Sequence, residues 1–295
     1  MTANSDMERI SGNDPISCLT PLTPCNSDPE IEAIEDLKSS PDKSQKARVG
    51  PFWSEPDATS FRVRGKKYKK DKKKVPSTPS LFRLIATDIV ESDSSILGGI
   101  CSHPQERVQL ALKREKEQLD HGISSDMPPF IVCVNIVLPG PPFYHVAFYY
   151  AVDDMSIIDG TSGTPSSTLA NKFFFTGTDE FRKKTFKLIP RISKGPVIVK
   201  KAVGSKPAIM GTKLTQTYAR GERFFEIVID CGSDKIASKV IKLCRGYAKS
   251  IETEMAFLLE GNDESTLPEE IFGCGSLIKP NFELDSRFIK SSVTG

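Results

Sequence analysis

Phe130-Ile-Val-Cys-Val-Asn-Ile-Val-Leu138 is an apolar, largely β-branched run closed by Pro128-Pro129 before it and by Pro139-Gly-Pro-Pro142 after it. Such a run is of strand length, and the prolines stop it from extending into a helix. It therefore reads as a buried strand. Tyr144 to Val152, immediately beyond the Pro-Gly-Pro-Pro turn, reads as its partner.

Working outward, Leu81 to Val90 is a further apolar segment, and His103 to Leu119 carries Val108, Leu110, Ala111, Leu112 and Leu119 among charges. The latter predicts an amphipathic helix with Ser102 as its N-cap. Gly160 to Ser167 reads as a loop, and Asp179 and Glu180 suit the first turn of a short helix after Thr178. Val197 to Val203, Thr212 to Tyr218 and Phe224 to Asp230 read as strands, the last two joined by a turn at Gly221. Ser233 is placed to cap a helix over Asp234 to Lys249, whose Ile236, Val240, Ile241, Leu243, Cys244 and Tyr247 form one apolar face. Met255 to Leu259 returns to the sheet. Strands arriving in adjacent pairs predict an α+β fold, a largely antiparallel sheet with flanking helices, and leave room for a helix-grip-like cavity.

Residues 1–50 are rich in Ser, Pro, Asp, Asn and Glu and read as a disordered tail, with Thr23-Pro and Ser40-Pro as candidate phosphosites. The 295 residues carry a net charge of only +2, so attraction to anions must come from local clusters. Seven cysteines, Cys18, Cys25, Cys101, Cys133, Cys231, Cys244 and Cys274, stand singly with no metal-binding spacing, and read as reduced structural thiols. No secretory leader and no apolar run long enough to span a bilayer is legible, which points to the cytoplasm and at most peripheral membrane contact.

The densest charge lies between Lys66 and Lys74, where Lys66, Lys67, Lys69, Lys70, Lys72, Lys73 and Lys74 follow Arg62 and Arg64. A run of this size can hold anionic lipid head groups, an acidic partner or nucleic-acid phosphates, or can simply be solvated. A second cluster, Arg182, Lys183, Lys184, Lys187, Arg191 and Lys194, alternates with Phe181, Phe186, Leu188 and Ile192. It reads either as an interfacial segment or as an amphipathic helix packed on the core. Phe173-Phe-Phe175 reads as an insertion loop or a buried strand. Catalytic signals are thin. No Gly-rich phosphate loop is present, so no nucleotide or other cofactor is expected. His145 and Cys133 could meet across a strand pair as a dyad, although an inert buried thiol is the plainer reading. Asp153, Asp154 and Asp159 read as turn residues, while Glu226 and Asp230 share one strand face, with Arg220 or Arg64 as candidate partners.

Taken in order, Trp53…Phe61-Arg-Val-Arg-Gly65-x-x-Tyr68-x-x-Asp71, Asn135-x-x-x-Pro139-Gly-Pro-Pro142-x-Tyr144 and Asp179-x-Phe181-Arg182…Phe186-Lys187-x-Ile189-Pro190 form a distinctive series. Val199-Lys200-x-x-Val203-Gly204, Tyr218-x-Arg220-Gly221…Phe225-Glu226…Asp230-x-Gly232-Ser233 and Leu267-Pro268-Glu269 complete it. Over roughly residues 51–283 the chain resembles the C-terminal domain family of plant Enhanced Disease Resistance 2 proteins, with 284–295 left as a tail. The resemblance implies association with phosphoinositides, endomembranes and restraint of defence-related cell death. In those proteins a pleckstrin-homology and a START domain precede this one, and the first carries the phosphoinositide binding. These 295 residues leave no room for either, so membrane contact must be argued from the domain itself. The relatives often carry Trp where this chain has Val197, which weakens an interfacial anchor at that turn.

The expectation is a non-enzymatic lipid- or anionic-membrane-binding regulatory domain. Its site would comprise Arg62, Arg64, the seven lysines of the run, Arg182, Lys183, Lys184 and Lys187. The other reading open from the residues is a protein-interaction scaffold whose basic run docks an acidic partner, the chain's own Asp28 to Asp36 included. Nucleic acid is the less favoured partner, and a hydrolase built on His145 stands third.

Overall fold

The computed structural model describes residues 51–125 and 127–291. The expected tail of residues 1–50, with Thr23, Ser40, Cys18 and Cys25, lies outside the described residues. Along the chain run β1 (Trp53–Ser54), β2 (Arg62–Arg64), β3 (Lys74–Pro76), β4 (Arg83–Ser92), β5 (Phe130–Leu138), β6 (Phe143–Val152) and β7 (Phe186–Lys194). They are followed by β8 (Ala208–Ile209), β9 (Thr215–Arg220), β10 (Phe224–Asp230), β11 (Glu252–Leu259), β12 (Ile271–Ile278) and β13 (Ser286–Ile289). One sheet has the order β13-β4-β6-β5-β10-β9, a second β1-β12-β11-β7-β8, and β2 and β3 form a hairpin. The fold is α+β with largely antiparallel sheets; among the described residues only β5–β10 and β4–β13 are parallel pairs.

The run that opens the sequence is β5, central in the larger sheet and buried at every position. Its uninterrupted apolar character follows from coverage on both faces. Val132, Val134 and Ile136 face the smaller sheet, while Ile131 and Cys133 face the helix Arg107–Asp120 and the segment before it. β6 pairs with β5 in antiparallel register, Phe130 opposite Val152 and Leu138 opposite Tyr144.

The two sheets meet through aromatic rings. Phe148 and Tyr150 of β6 lie 5.7 and 6.2 Å, centroid to centroid, from Phe257 of β11, and Tyr150 also stands edge-on to Phe272. Room for these rings comes from β12. A bulge at Phe272 turns Gly273 to the same interior, and a Cβ on Gly273 would sit 2.5 Å from the Tyr150 ring. Gly275 accommodates the Phe148 ring in the same way. The outer face of the smaller sheet is covered by Ala58, Phe61 and Val63 against Ile189, Ala256, Leu258 and Ile271.

Several elements differ from the sequence reading for local reasons. The first long helix starts at Arg107, because the Glu106 carboxylate, not Ser102, accepts the Val108 N–H at 2.8 Å. Val197–Val203 is helical rather than a strand. Pro196 opens it, Val199 packs on Ile192 and Ile251, and Gly204, at φ 68°, ends it. The helix Asp179–Thr185, capped by Thr178, stops there, and Phe186–Lys194 becomes β7. Phe173-Phe-Phe175 lies in a π-helical turn with Phe173 and Phe174 buried. The helix expected over Asp234 to Lys249 is Lys235–Gly246, with Asp234 accepting the Ile236 and Ala237 N–H groups. Residues 286–289, expected within a tail, pair with β4.

Gly273→Ala forces a methyl into the Tyr150 ring and should destabilise the domain by ~2 kcal/mol. A lowered urea midpoint with an unchanged slope is the expected result.

Candidate functional site: an apolar cavity at one end of the sandwich

The space between the sheets is filled unevenly. At the end where β11 finishes, Ile158, Leu169, Phe173 and Phe174 plug it, Phe174 standing edge-on to Phe225 and Phe272. At the other end the space is open and forms a cavity of about 310 Å³. Its floor and walls are Ile136 and Ile229 of the larger sheet, Leu188 and Met255 of the smaller, and Val240 and Ile241 of the 235–246 helix. That helix is strongly amphipathic, yet none of its residues is fully buried. Its apolar face covers the hollow and rests on the core only at the edges of that space, through Ala237 and Ile241, while Leu243 and Cys244 pack on Ile192, Val199 and Ile251. Ala202, exposed on the 197–203 helix, also lines the cavity and marks where it opens.

The size falls within the range of small-ligand pockets, roughly 300–1,000 Å³. Cavities in protein cores cost about 24 cal/mol per Å³, so an enclosed dry space this large would cost on the order of 7 kcal/mol. This is an upper figure for a hollow with an opening. A bound apolar chain would recover part of that cost. Val197 and Ile198, at 66% and 57% exposure, and Ile236, at 73%, place apolar side chains outward on the two helices that border the cavity. Exposed Lys200, Lys201, Lys235, Lys239 and Lys242 stand on the same helices.

The basic residues singled out in the sequence divide into two sets. Lys66, Lys67, Lys69, Lys70, Lys72 and Lys73 are exposed at the tip of the β2–β3 hairpin, with Arg62 exposed and Lys74 half-buried on its strands. Lys69 donates to the Asn262 carbonyl at 2.8 Å and Lys70 lies 3.6 Å from Glu264, so the tip is fastened to the loop after β11. Lys183 and Lys184 are on the 179–185 helix, Lys183 being 3.4 Å from Glu180.

The others point inward. Arg182 is fully buried, donating to the Phe173 carbonyl and to Asp179 at 3.0 Å. Lys187 is buried against Glu269, with Glu260 at 3.7 Å, and burial pulls its pKa down. Arg64, half-buried, reaches Glu260 at 2.7 Å, and its backbone N–H donates to Glu269 at 2.9 Å. These three residues hold the fold together. Sequence spacing could not separate them from the surface cations, because their acidic partners lie some 70 to 200 residues away for Arg64 and Lys187.

A buried polar network covers the far face of the larger sheet. Asn135 donates to Glu226 at 2.8 Å, and Glu226 also accepts the Ile100 and Cys101 N–H groups at 3.0 and 2.8 Å. His145 Nε2 accepts from the Ile96 N–H at 3.4 Å, which leaves Nδ1 to donate to Asn135 Oδ1 at 3.2 Å. His145 therefore engages Asn135, and Cys133 lies opposite Tyr149 instead, so the two do not form a dyad. The Cys101 and Cys133 sulfurs and a Glu226 oxygen lie within 4.8 Å of one another, the one group among the described residues with metal-ligand chemistry. Burial pushes Cys133 up to about 12 and also raises Cys101 well above the usual thiol range, so both are neutral thiols. Asp153 pairs with Arg83 at 2.8 Å, and Asp154 and Asp159 accept nearby backbone N–H groups, as turn residues do. Arg220 pairs with Asp179 rather than with Glu226. Nothing in the sequence marked Ile96 or Ile100, and the helix-grip-like cavity left open there was given no lining residues. The amphipathic 235–246 helix was the available signal for the cavity.

Compared with known proteins, residues 53–280 match the family described as "Protein ENHANCED DISEASE RESISTANCE 2, C-terminal". A similar protein, "Protein ENHANCED DISEASE RESISTANCE 2-like" from Arabidopsis thaliana, is 31% identical over 241 residues, 79% of this chain and 30% of the relative. The chain thus spans about a third of that protein's length. No solved structure matches.

The polar network sets a pH response. Burial lowers His145 from 6.5 to about 4, so its contribution is complete above 6.5 and is lost as pH falls towards 4. Burial raises Glu106, which accepts from Tyr149, from 4.5 to about 7, so its contribution is complete below 4.5 and is lost as pH rises to 7. The two slopes oppose each other, and stability should be nearly flat across the shared window. Glu106→Gln should expose a fall of ~1.4 kcal/mol per unit on acidification, and His145→Asn the opposite slope, both read from urea midpoints across pH.

Proposed function

Because the chain belongs to the Enhanced Disease Resistance 2 C-terminal domain family, whose name describes a phenotype and no chemistry, we propose a function from its geometry: a lipid-binding regulatory domain that takes an apolar chain into the cavity between its sheets. The observation that carries this reading is the 235–246 helix, amphipathic and yet roofing a hollow of about 310 Å³. Exposed Val197, Ile198 and Ile236 beside lysines on the bordering helices suit peripheral contact with an anionic membrane, apolar side chains entering the interface and ammonium groups meeting head groups. Among the described residues no helix is long and apolar enough to cross a membrane.

A second reading is favoured by the position of the lysine run. It is fastened to the loop after Leu259, whereas the cavity is lined by residues at the start of β11, roughly 25 Å away along the strand. Lys66, Lys67, Lys69, Lys70, Lys72 and Lys73 therefore suit a separate anionic surface, either a membrane patch or an acidic protein docked on a scaffold.

Native mass spectrometry of the purified chain offered a fatty acid should give a one-to-one adduct. Ala237→Trp, which fills the cavity from its roof, should lose it while retaining the fold by circular dichroism. Absence of any adduct in the unaltered chain would end the cavity reading. Changing the six exposed lysines to glutamine should reduce flotation with phosphatidylserine vesicles and leave fatty-acid uptake intact. Unchanged flotation at moderate salt would remove the run from membrane contact.

A further inference from the structure

Leu214 separates the apolar cavity from a second hollow of different chemistry. This pocket, also of about 310 Å³, is lined by Lys183, Thr212, Lys213, Thr215, Gln216 and Ser233. Leu214 lines both spaces, and Met210 and Cys231 of the cavity lie within two residues of Gly211 and Ser233 of the pocket. On β9, Gln216 pairs with Ile229, so its side chain shares the face on which Ile229 lines the cavity.

Gln216 is the unusual group. It is 1% exposed, and among the described residues neither its amide nitrogen nor its amide oxygen has a hydrogen-bond partner. A buried primary amide left without partners is costly, and native structures rarely keep one. The carboxylates near it are already engaged. Lys213 is exposed at the rim, and Lys183 is tied only to exposed Glu180 at 3.4 Å. The neighbouring carboxylates face backbone: Asp230 accepts the Gly232 N–H at 2.8 Å, and Asp234 caps the 235–246 helix. The Ser233 hydroxyl accepts the Thr215 N–H at 2.8 Å and donates to the Asp230 carbonyl, which fixes that wall.

Building on the cavity reading above, we infer that this pocket receives the phosphate-bearing head group of an amphiphile whose apolar chain occupies the adjoining cavity. Lys183 and Lys213 supply positive charge, the Gln216 amide donates to a phosphate oxygen, and its carbonyl accepts from a hydroxyl. The ligand class is an anionic phospholipid with a small head group. A neutral lipid would leave the Gln216 amide and the Lys213 ammonium without a counterpart.

Phosphatidic acid and diacylglycerol with the same chains differ only in the phosphate, and so separate the pocket from the cavity. The full chain is incubated with phosphatidylcholine vesicles carrying one or the other, and the extracted lipid is weighed by mass spectrometry. The unaltered chain should take up phosphatidic acid at least about tenfold better, the effect of one or two charge-assisted hydrogen bonds. Lys183→Gln with Lys213→Gln, both at the surface, should bring that ratio close to one without changing diacylglycerol uptake, and Gln216→Leu should lower it several-fold. Equal uptake of both lipids by the unaltered chain would overturn the head-group site and leave the cavity reading standing. Uptake of neither would overturn the cavity reading and this one with it. Titration with inorganic phosphate, followed at the Gln216 side-chain amide by NMR, separates the sources. Tight binding there without phosphatidic acid uptake would assign the pocket to a free anion and overturn the amphiphile.

Discussion

Everything in this domain is arranged around the aromatic contact between its sheets. Phe148 and Tyr150 of one sheet press on Phe257 and Phe272 of the other, and the rings fit because Gly273 and Gly275 present bare backbone to them. Offset and edge-on rings contribute ~0.5–1.5 kcal/mol per pair beyond the area they bury. The cluster continues into Phe173, Phe174, Phe186 and Phe225, and all of it lies in the middle and at one end of the sandwich. Large rings concentrated at one end fix the spacing of the sheets. The other end, lined mostly by aliphatic side chains with Phe282 as its ring, keeps that spacing without the volume to fill it.

The cavity is in this sense a consequence of the packing that stabilises the domain. A lid was needed for it, and the 235–246 helix provides one without inserting side chains deeply enough to close it. The electrostatics follow the same division. Buried ions, Arg64 and Lys187 with Glu260 and Glu269, tie the outer cover of the smaller sheet to the loop after β11. Pairs of this kind hold a geometry more than they add stability, since desolvation offsets much of their attraction. On the larger sheet, Glu226, Asn135 and His145 do the same for the segment from Ile96 to Cys101. The exposed cations are left at the hairpin tip and on the helices that border the cavity.

Much of the fold was legible where a residue's local chemistry decides its structure. The proline-bounded β5, the Gly221 turn and the acidic first turn at Asp179 and Glu180 all act over a few residues, and each formed as read. Legibility failed where distant packing decides. Val197–Val203 has strand composition, yet it folds as a helix because Val199 has a buried place against Ile192 and Ile251. Arg182 and Lys187 look like their surface neighbours until the partners supplied by Phe173 and Glu269 are in place. The orphaned amide of Gln216 has no sequence signature, because being without a partner is a property of its surroundings.

The central claim is that the hollow end of the sandwich is a ligand cavity. Methyl-labelled chain titrated with a fatty acid tests it most directly, through intermolecular NOEs. The account predicts NOEs from the acyl chain to Ile136, Ile229, Val240 and Ile241, and none to Ile158 or Leu169 at the plugged end. NOEs confined to surface methyls, or none at saturating fatty acid, would contradict it.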